Sequence, residues 1–408
     1  MKYSPEEILQ YVEEEQVEFI RLAFCDVFGR QKNIAIMAGE LRRAFTHGIA
    51  IDASAIRGFG GEVRSDLLLH PDPSSLIELP WRPEQGKVAR MFCDVTYPDG
   101  RPFEGDTRHL LKQAVAAAAE MGCAFDFGAE MEFYLFRLDE KGEPTHIPYD
   151  NASYMDVAPD DKGEHIRREI CLTLEQMGIR PESSHHESGP GQNEIDFRYS
   201  DPLSAADNAA TFHAVVKSVA AQNGLCADFS PKPLPAHDGS GMHINISAKH
   251  SGGIDVLPHI IAGILENIRD MTVFLNPCDN SYDRLGSDKA PLYITWSGEN
   301  RSQLIRIPAA MGEYRRAELR SPDPMANPYL AFALLIYAGL HGIERGLMPP
   351  VAADLNTFTA PAAVLRSYDK LPISLREAMA TAAASDFIQS HLPRAVIEAY
   401  CRRETQAR

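Results

Sequence analysis

No run of apolar residues in this chain approaches the roughly 20 that a membrane-spanning helix needs, so a membrane-embedded protein is not expected. The opening, MKYSPEEILQYVEEE, lacks the basic-then-apolar order of a secretory leader and reads as a short acidic helix. Positive charge is scarce: 40 Lys and Arg stand against 57 Asp and Glu, a formal charge of −17. A nucleic-acid partner calls for a basic face, and that class is set aside. A local cluster of Arg can still invert the potential in one cleft and hold a small anion. Cysteine is sparse, with seven residues and no CxxC pair. Their scatter points to reduced thiols in a cytoplasmic protein, not to a zinc or disulfide framework. No Walker P-loop, GxGxxG fingerprint or Ser/His/Asp hydrolase motif occurs, so any nucleotide is held in another way.

What is present is an ordinary globular composition over 408 residues, 44% apolar and 24% charged, enough for one to three domains. VEFIRLAFC (17–25) followed by the turn DVFGR and the return KNIAI predicts a hairpin. Turn residues concentrate in YPDGRPFEGD, after which TRHLLKQAVAAAAEMG is helical, capped by Asp106 or Thr107. This places a boundary near residues 98–106 and divides the chain into 1–103 and 104–408. Beyond it, helices are expected at 163–178, 204–223, 257–274 and 328–345. Strands are expected at 125–136, 183–187, 192–199, 241–247, 292–296, 303–307 and 314–320. Short strands that follow one another without helices fit an α+β fold with a largely antiparallel sheet.

Four patches carry chemistry. In GAEMEFYLF, Glu130 and Glu132 are two apart on a strand and share a face, while Met131 and Phe133 face the core. Two adjacent carboxylates repel and need cations between them; alone, they read as a solvated strand face. SSHHESGPGQNEIDFR places Glu187 and Glu194 on either side of a Gly/Pro turn, aimed into one cavity. In DGSGMHINIS, His243, Asn245 and Ser247 share a strand face, and Gly239 and Gly241 permit close backbone approach. RRAELRSPDPMANPY alternates Arg316, Glu318 and Arg320, with Arg301 and Arg306 just upstream; a salt-bridge ladder is the plain alternative. Five Glu, one His and several Arg suit Mg²⁺ or Mn²⁺, more than one ion, beside a transferring phosphoryl group.

In this order and spacing the patches resemble the bacterial type I glutamine synthetases, from about residue 17 to residue 350. HHESGPGQNE, GSGMHINIS and RSPDPMANPY are the most specific segments. The resemblance implies a small N-terminal β-grasp-like domain, then a catalytic domain whose curved antiparallel sheet is flanked by helices. It also implies a homo-oligomeric ring, possibly a dodecamer, with sites between neighbouring subunits. The substrates it implies are ATP, L-glutamate and ammonia or a small amine, with two or three Mg²⁺ or Mn²⁺ per site.

Carried across by position, one metal site resembles Glu132, Glu187 and Glu194, and the other Glu130, His243 and Glu318. Arg301 and Arg306 match positions that handle the ATP phosphates and the transferred group. Asn245, Ser247 and Arg316 match the nucleotide side. Arg284, Arg320 and Gly239 match the glutamate site, and Asp52 in IDASAIRGF matches the acid that binds and deprotonates ammonium from the adjacent subunit.

The segment Arg284-Leu-Gly-Ser-Asp-Lys289-Ala-Pro291 departs from the family's RLxPGYEAP: it is one residue shorter, with Lys289 where the family has Glu. A cation aimed at that pocket would disfavour ammonium; otherwise Asp288 takes over, or Lys289 points to solvent. Asp238, in place of the usual Asn, touches the glutamate corner. These departures motivate a sister ligase that uses methylamine, ethanolamine or a polyamine as an alternative to glutamine synthesis. A catalytically silent paralogue is a third reading.

Overall fold

The computed structural model describes residues 3–402 apart from 60–64, 82–85, 288, 310–311 and 313–314. The first part runs α1 (Pro5–Glu14), β1 (Val17–Cys25), β2 (Gln31–Met37), α2 (Leu41–His47), β3 (Ile49–Asp52), β4 (Asp66–Pro71), β5 (Ile77–Leu79) and β6 (Lys87–Thr96). Its six strands form one sheet in the order β2-β1-β6-β4-β3, with β5 also on β6. The β1–β2 hairpin is antiparallel, whereas β1 and β6 run parallel.

The second part begins with α3 (Thr107–Glu120), whose N-cap is Asp106: its carboxylate accepts from the N–H groups of Arg108 and His109. There follow β7 (Cys123–Leu138), β8 (Pro144–Pro148), α4 (Glu164–Gln176), β9 (Pro181–His186), β10 (Gln192–Phe197), α5 (Pro202–Gln222), β11 (Leu225–Asp228) and β12 (Met242–His250). Next come α6 (Leu257–Leu275), α7 (Ser281–Arg284), β13 (Trp296–Gly298), β14 (Ile305–Ile307), β15 (Ala317–Leu319) and α8 (Pro328–Glu344). Four short helices close the chain: α9 (Ala362–Leu365), α10 (Leu375–Ala384), α11 (Asp386–His391) and α12 (Arg394–Cys401). Nine strands make one sheet, ordered β13-β14-β15-β12-β7-β10-β9, with β8 and β11 also on β7. All its pairs are antiparallel except β13–β14, so the sheet is mixed.

Period-two alternation decides what each face does. Met131, Phe133, Ile195, Ile244, Ile246, Ala317 and Leu319 are all buried, and the apolar helices α6 and α8 are buried along most of their length. The strand expected at 292–296 is found only at its end, as Trp296–Gly298. Leu292 and Ile294 bond instead to Leu371 and Asp369 of the C-terminal segment, at 2.9 Å each, so tertiary pairing overrides local strand propensity. All seven cysteines are free, three of them buried and four half-buried. Among the described residues no helix is long and apolar enough to cross a membrane.

Two polar clamps hold the two parts together. Arg108 donates twice to Asp207, at 3.0 and 2.9 Å, and lies 2.9 Å from Asp72. Asn327, fully buried at the N-cap of α8, donates to Val27 O at 3.0 Å and to Thr107 Oγ1 at 3.1 Å, while its own oxygen accepts from Tyr329 N. Gly29 packs on it at φ +78, where a Cβ would stand 2.8 Å from Asn327 Cα. Removing the amide strands a buried carbonyl and uncaps α8. Asn327→Ala is expected to destabilise the protein by about 2 kcal/mol or more, read as a lower urea midpoint. Unchanged stability would show that the junction does not depend on it.

Candidate active site

Strand pairing by itself gathers the functional side chains. Glu130 on β7 is level with His243 on β12 and with Asp196 on β10, and Glu132 is level with Glu194. One strand further out, Glu194 pairs with His185, and Asn245 pairs with Glu318, which pairs with Arg306. Residues directly opposite on neighbouring strands share a face, so these rungs put the whole set on the side of the sheet away from the apolar layer.

A cavity of about 790 Å³ opens on that face. Glu130, Glu132, Glu187, Glu194, His243, Gly239, Arg284, Arg301, Arg306, Arg316 and Arg320 line it. A second cavity of about 290 Å³ adjoins it, sharing Glu130, Asp196 and Arg316 and adding Asn245 and Ser247. Of the fifteen residues singled out from the sequence, thirteen therefore line one compartment or the other. Glu318 lies beneath, completely buried. Its carboxylate is gripped by two guanidinium groups, with Arg306 Nε donating at 2.5 Å and Arg320 Nη1 also bonded. His243 Nδ1 is 3.7 Å from it. Asp52 lines neither cavity: it is exposed at the end of β3, its carboxylate accepting from Ser54 N at 2.9 Å.

The electrostatics are those of carboxylates crowded together. Burial, reinforced by the charge of Glu187, pushes Glu132 up to about 8. Burial and the charge of Glu132 push Glu194 well above the usual carboxylate range, and Asp196 rises to about 6 through burial and Glu130. For Glu130 burial works the same way, but the hydrogen bond and charge of His243 outweigh it and bring the group down to about 2. Glu187 too ends below the usual range, because His185 and Lys289 outweigh burial. Burial and the nearby Arg320 hold His243 below the usual imidazole range, while its hydrogen bond to Glu130 works the other way.

Two triads bring ligand atoms within 4.8 Å of one another: Glu130, Glu194 and His243, and His185, Glu187 and Glu194. The donor set of carboxylate oxygens with one imidazole per group suits Mg²⁺ or Mn²⁺. Glu194 belongs to both triads, His185 joins, and Glu132 and Glu318 stand beside them. Glu132 Oε2 is held by Gln192 Nε2 at 3.0 Å and by Gly241 N at 2.9 Å.

Four contributors went unread in the sequence. His185 and His186 precede Glu187 in the sequence but carry no ligand signal of their own, and Asp196 repeats the two-residue step from Glu194. Gln192 is a buried hub that also accepts from Gly189 N and donates to Gly239 O. His186 places Nδ1 2.6 Å from Glu187 O and Nε2 2.9 Å from Asp150 Oδ1. Asp150 also accepts from the N–H groups of Gly191 and Lys162, and both ring nitrogens of His186 face acceptors, which favours the doubly protonated, charged ring. Burial opposes that charge, and the bonds to Asp150 and Glu187 raise its pKa regardless. Asp150 and Asp161 with His186 form a third acidic group, but Arg167 closes it through two bonds to Asp161.

Lys289 points into the cavity, not away from it. Its Nζ stands 3.3 Å from Glu187 Oε2, 2.7 Å from Ser188 Oγ and 4.7 Å from the centre of the Tyr154 ring. Asp288 lies outside the described residues. At the other end, Arg284 is buried, its guanidinium bonded to the carbonyls of Ser321 and Arg320 beneath Gly239 and Gly241.

Acids and arginines that line one cavity suit an enzyme acting on a charged, phosphorylated substrate. The sequence profile of the glutamine synthetase catalytic domain matches residues 104–406, and that of the glutamine synthetase β-grasp domain matches residues 16–98. A glutamine synthetase from Clostridium saccharobutylicum is 47% identical over 93% of this chain and 89% of its own. One from Methanosarcina mazei is 44% identical over 99% and 94%. A solved chain described as a GmaS/ADP complex superposes with a TM-score of 0.87 at 30% identity, covering 97% of this chain and 94% of its own. The chain belongs to the glutamine synthetase family.

Because burial raises Glu132 to about 8 and pushes Glu194 upward as well, a divalent ion must compete with protons in order to bind. Mn²⁺ affinity is therefore expected to fall as pH is lowered from 8.5 to 6.5, by up to about tenfold per pH unit for each proton released. Calorimetry in buffers of different ionisation enthalpy reads this directly. An affinity flat across that range would refute the charge assignment.

Proposed function

We propose that this site joins ammonia to the side-chain carboxylate of L-glutamate at the expense of ATP, as a glutamate–ammonia ligase forming ADP and phosphate. The observation that carries the reading is the convergence on one cavity of the Glu130, Glu132, Glu187 and Glu194 carboxylates with Arg301, Arg306 and Arg320. Such a site can hold a polyphosphate and neutralise the charge that develops as its end group moves.

Glu130, Glu194 and His243 would hold one Mg²⁺ or Mn²⁺, and His185, Glu187 and Glu194 a second, with Glu132 and Glu318 close by. These ions supply Lewis-acid neutralisation of the phosphate oxygens. Asn245, Ser247 and Arg316, in the adjoining compartment, take the nucleotide. Arg306 and Arg301 reach the transferring phosphoryl group, and the buried anchoring of Arg306 on Glu318 keeps its guanidinium in place without reorganisation. Arg320, bonded to Glu318 and to Arg301 O at 3.1 Å, closes the same wall. Arg284, with Gly239 above it, grips the amino-acid end of glutamate.

The γ-carboxylate attacks the terminal phosphorus of ATP and ADP leaves. The resulting acyl phosphate is an electrophile, and a deprotonated amine displaces phosphate from it. The Asp52 carboxylate binds ammonium and accepts its proton, which leaves the ammonia that attacks. Since it stands apart from its own chain's cavity, it serves the cavity of a neighbouring copy in a homo-oligomeric ring, two such rings giving a dodecamer. The setting is cytoplasmic.

Lys289 carries a second reading. A fixed ammonium at the cavity wall opposes a small inorganic cation there, which favours an organic amine as acceptor. ATP turnover with glutamate across a panel of amines separates the two: ammonia as the preferred acceptor sustains glutamine synthesis, and a preferred organic amine replaces it.

The shared site has its own test. Asp52→Asn and Arg306→Ala are each expected to lower kcat by more than about 100-fold. Mixing the two after dissociation and reassembly should restore part of the activity, because hybrid interfaces then hold one intact site. No recovery on mixing, with both variants assembled, would place the site within a single chain.

A further inference from the structure

The Lys289 ammonium lies against an acidic triad. Its Nζ lies 3.3 Å from Glu187 Oε2, and that oxygen also accepts from Ser188 N at 2.8 Å and Ser188 Oγ at 3.2 Å. The other oxygen of Glu187 faces His185 Nε2 at 3.3 Å, and His185 is in turn 3.4 Å from Glu194. The lysine is fixed at three points: the carboxylate, Ser188 Oγ and the face of the Tyr154 ring. Three anchors are more than a solvated side chain at a loop tip requires.

The backbone adds a second observation. Lys289 has φ +69, a left-handed conformation unfavourable for a residue with a Cβ. The turn that carries it is closed by Gly286 N donating to Ala290 O at 2.9 Å and Ala290 N donating to Ser287 O at 3.0 Å. Gly286, at φ +88, takes such a conformation without penalty, but Lys289 does not. The side-chain contacts hold the residue in a backbone state it would otherwise leave.

We propose that Lys289 is a tethered counter-ion for the Glu187 end of the acidic cluster, and that its ammonium and a divalent cation compete for the same carboxylate oxygen. The proposal rests on the placement of an ion at His185, Glu187 and Glu194. A divalent ion brings twice the charge and several ligands. The lysine is half exposed on a flexible stem, so it yields and swings out. Lys289 thereby sets the ion concentration at which this seat fills and keeps the cluster neutralised below it. His185 and Lys289 contact Glu187, whereas the Glu130 end contacts His243, so the effect is confined to one of the two seats.

Mn²⁺ binding to the full chain, read by electron paramagnetic resonance of the free ion without nucleotide or glutamate, tests this. Wild type is compared with Lys289→Met, Lys289→Arg and Glu187→Gln. Lys289→Met should bind Mn²⁺ about two- to fivefold more tightly at the seat that Glu187→Gln weakens, the range expected for a half-exposed ion pair. Lys289→Arg, which keeps the charge, should stay near wild type. If Lys289→Met binds no more tightly while Glu187→Gln weakens binding, the lysine proposal falls and the metal placement stands. If Glu187→Gln leaves Mn²⁺ binding unchanged, the ion placement is wrong and the proposal fails with it. Tighter binding by Lys289→Arg equal to that of Lys289→Met would also overturn it, since charge would not be the cause.

Discussion

Like charges on neighbouring rungs of one sheet face are the constraint from which the rest of this structure follows. Five carboxylates, those of Glu130, Glu132, Glu187, Glu194 and Asp196, line a single cavity, and burial forbids them all to ionise unaided. The protein answers unevenly. Glu318 is matched by two guanidinium groups, Glu130 by His243, and Glu187 by His185 and Lys289. Glu132 is held by neutral donors, Gln192 and Gly241. The largest upward shifts accordingly fall on Glu132 and Glu194. The carboxylates least able to ionise unaided thus lie between the two triads, where a divalent ion would have to displace their protons.

Only a sheet can arrange acids in this way without losing its core. β7 is the longest strand and pairs with four others. Its even positions meet the cavity, while Ala129, Met131 and Phe133 meet the apolar layer. A one-residue slip of β10 or β12 against β7 would turn Glu194 or His243 into that layer, so the packing that buries Ile195 and Ile244 also fixes the site's register. Stability and ligand geometry are set by the same alternation.

That coupling explains what could be read from the sequence. GAEMEF and GMHINIS announce their faces through period two, and the structure places Glu130, Glu132, His243 and Asn245 on the cavity side as that period requires. Partners across strands are a different matter, because spacing along one strand does not report register with another. Sequence alternation set Arg316 and Arg320 about Glu318, whereas Arg306, on the neighbouring strand, grips it and Arg316 donates to Asn245 at 2.7 Å. His185 was equally opaque: its value depends on lying beside Glu194 across β9 and β10. Leu292–Thr295 looked like strand because local pattern cannot show that the C-terminal segment is the one to bond it.

The place of Asp52 turns on the junction between the two parts of the chain. Among the described residues, none before Glu130 lines the main cavity, yet the N-terminal sheet is locked to the helical layer by buried, directional bonds through Arg108 and Asn327. A domain needed only as ballast would be served by an apolar contact tolerant of small rotations. Polar clamps cost desolvation and return orientation. The orientation they fix is that of the β3–β4 edge, which carries an exposed carboxylate already organised by Ser54. In the proposed ring, where Asp52 would serve another copy's cavity, that rigid bearing ties the stiffness of the junction to the shared site.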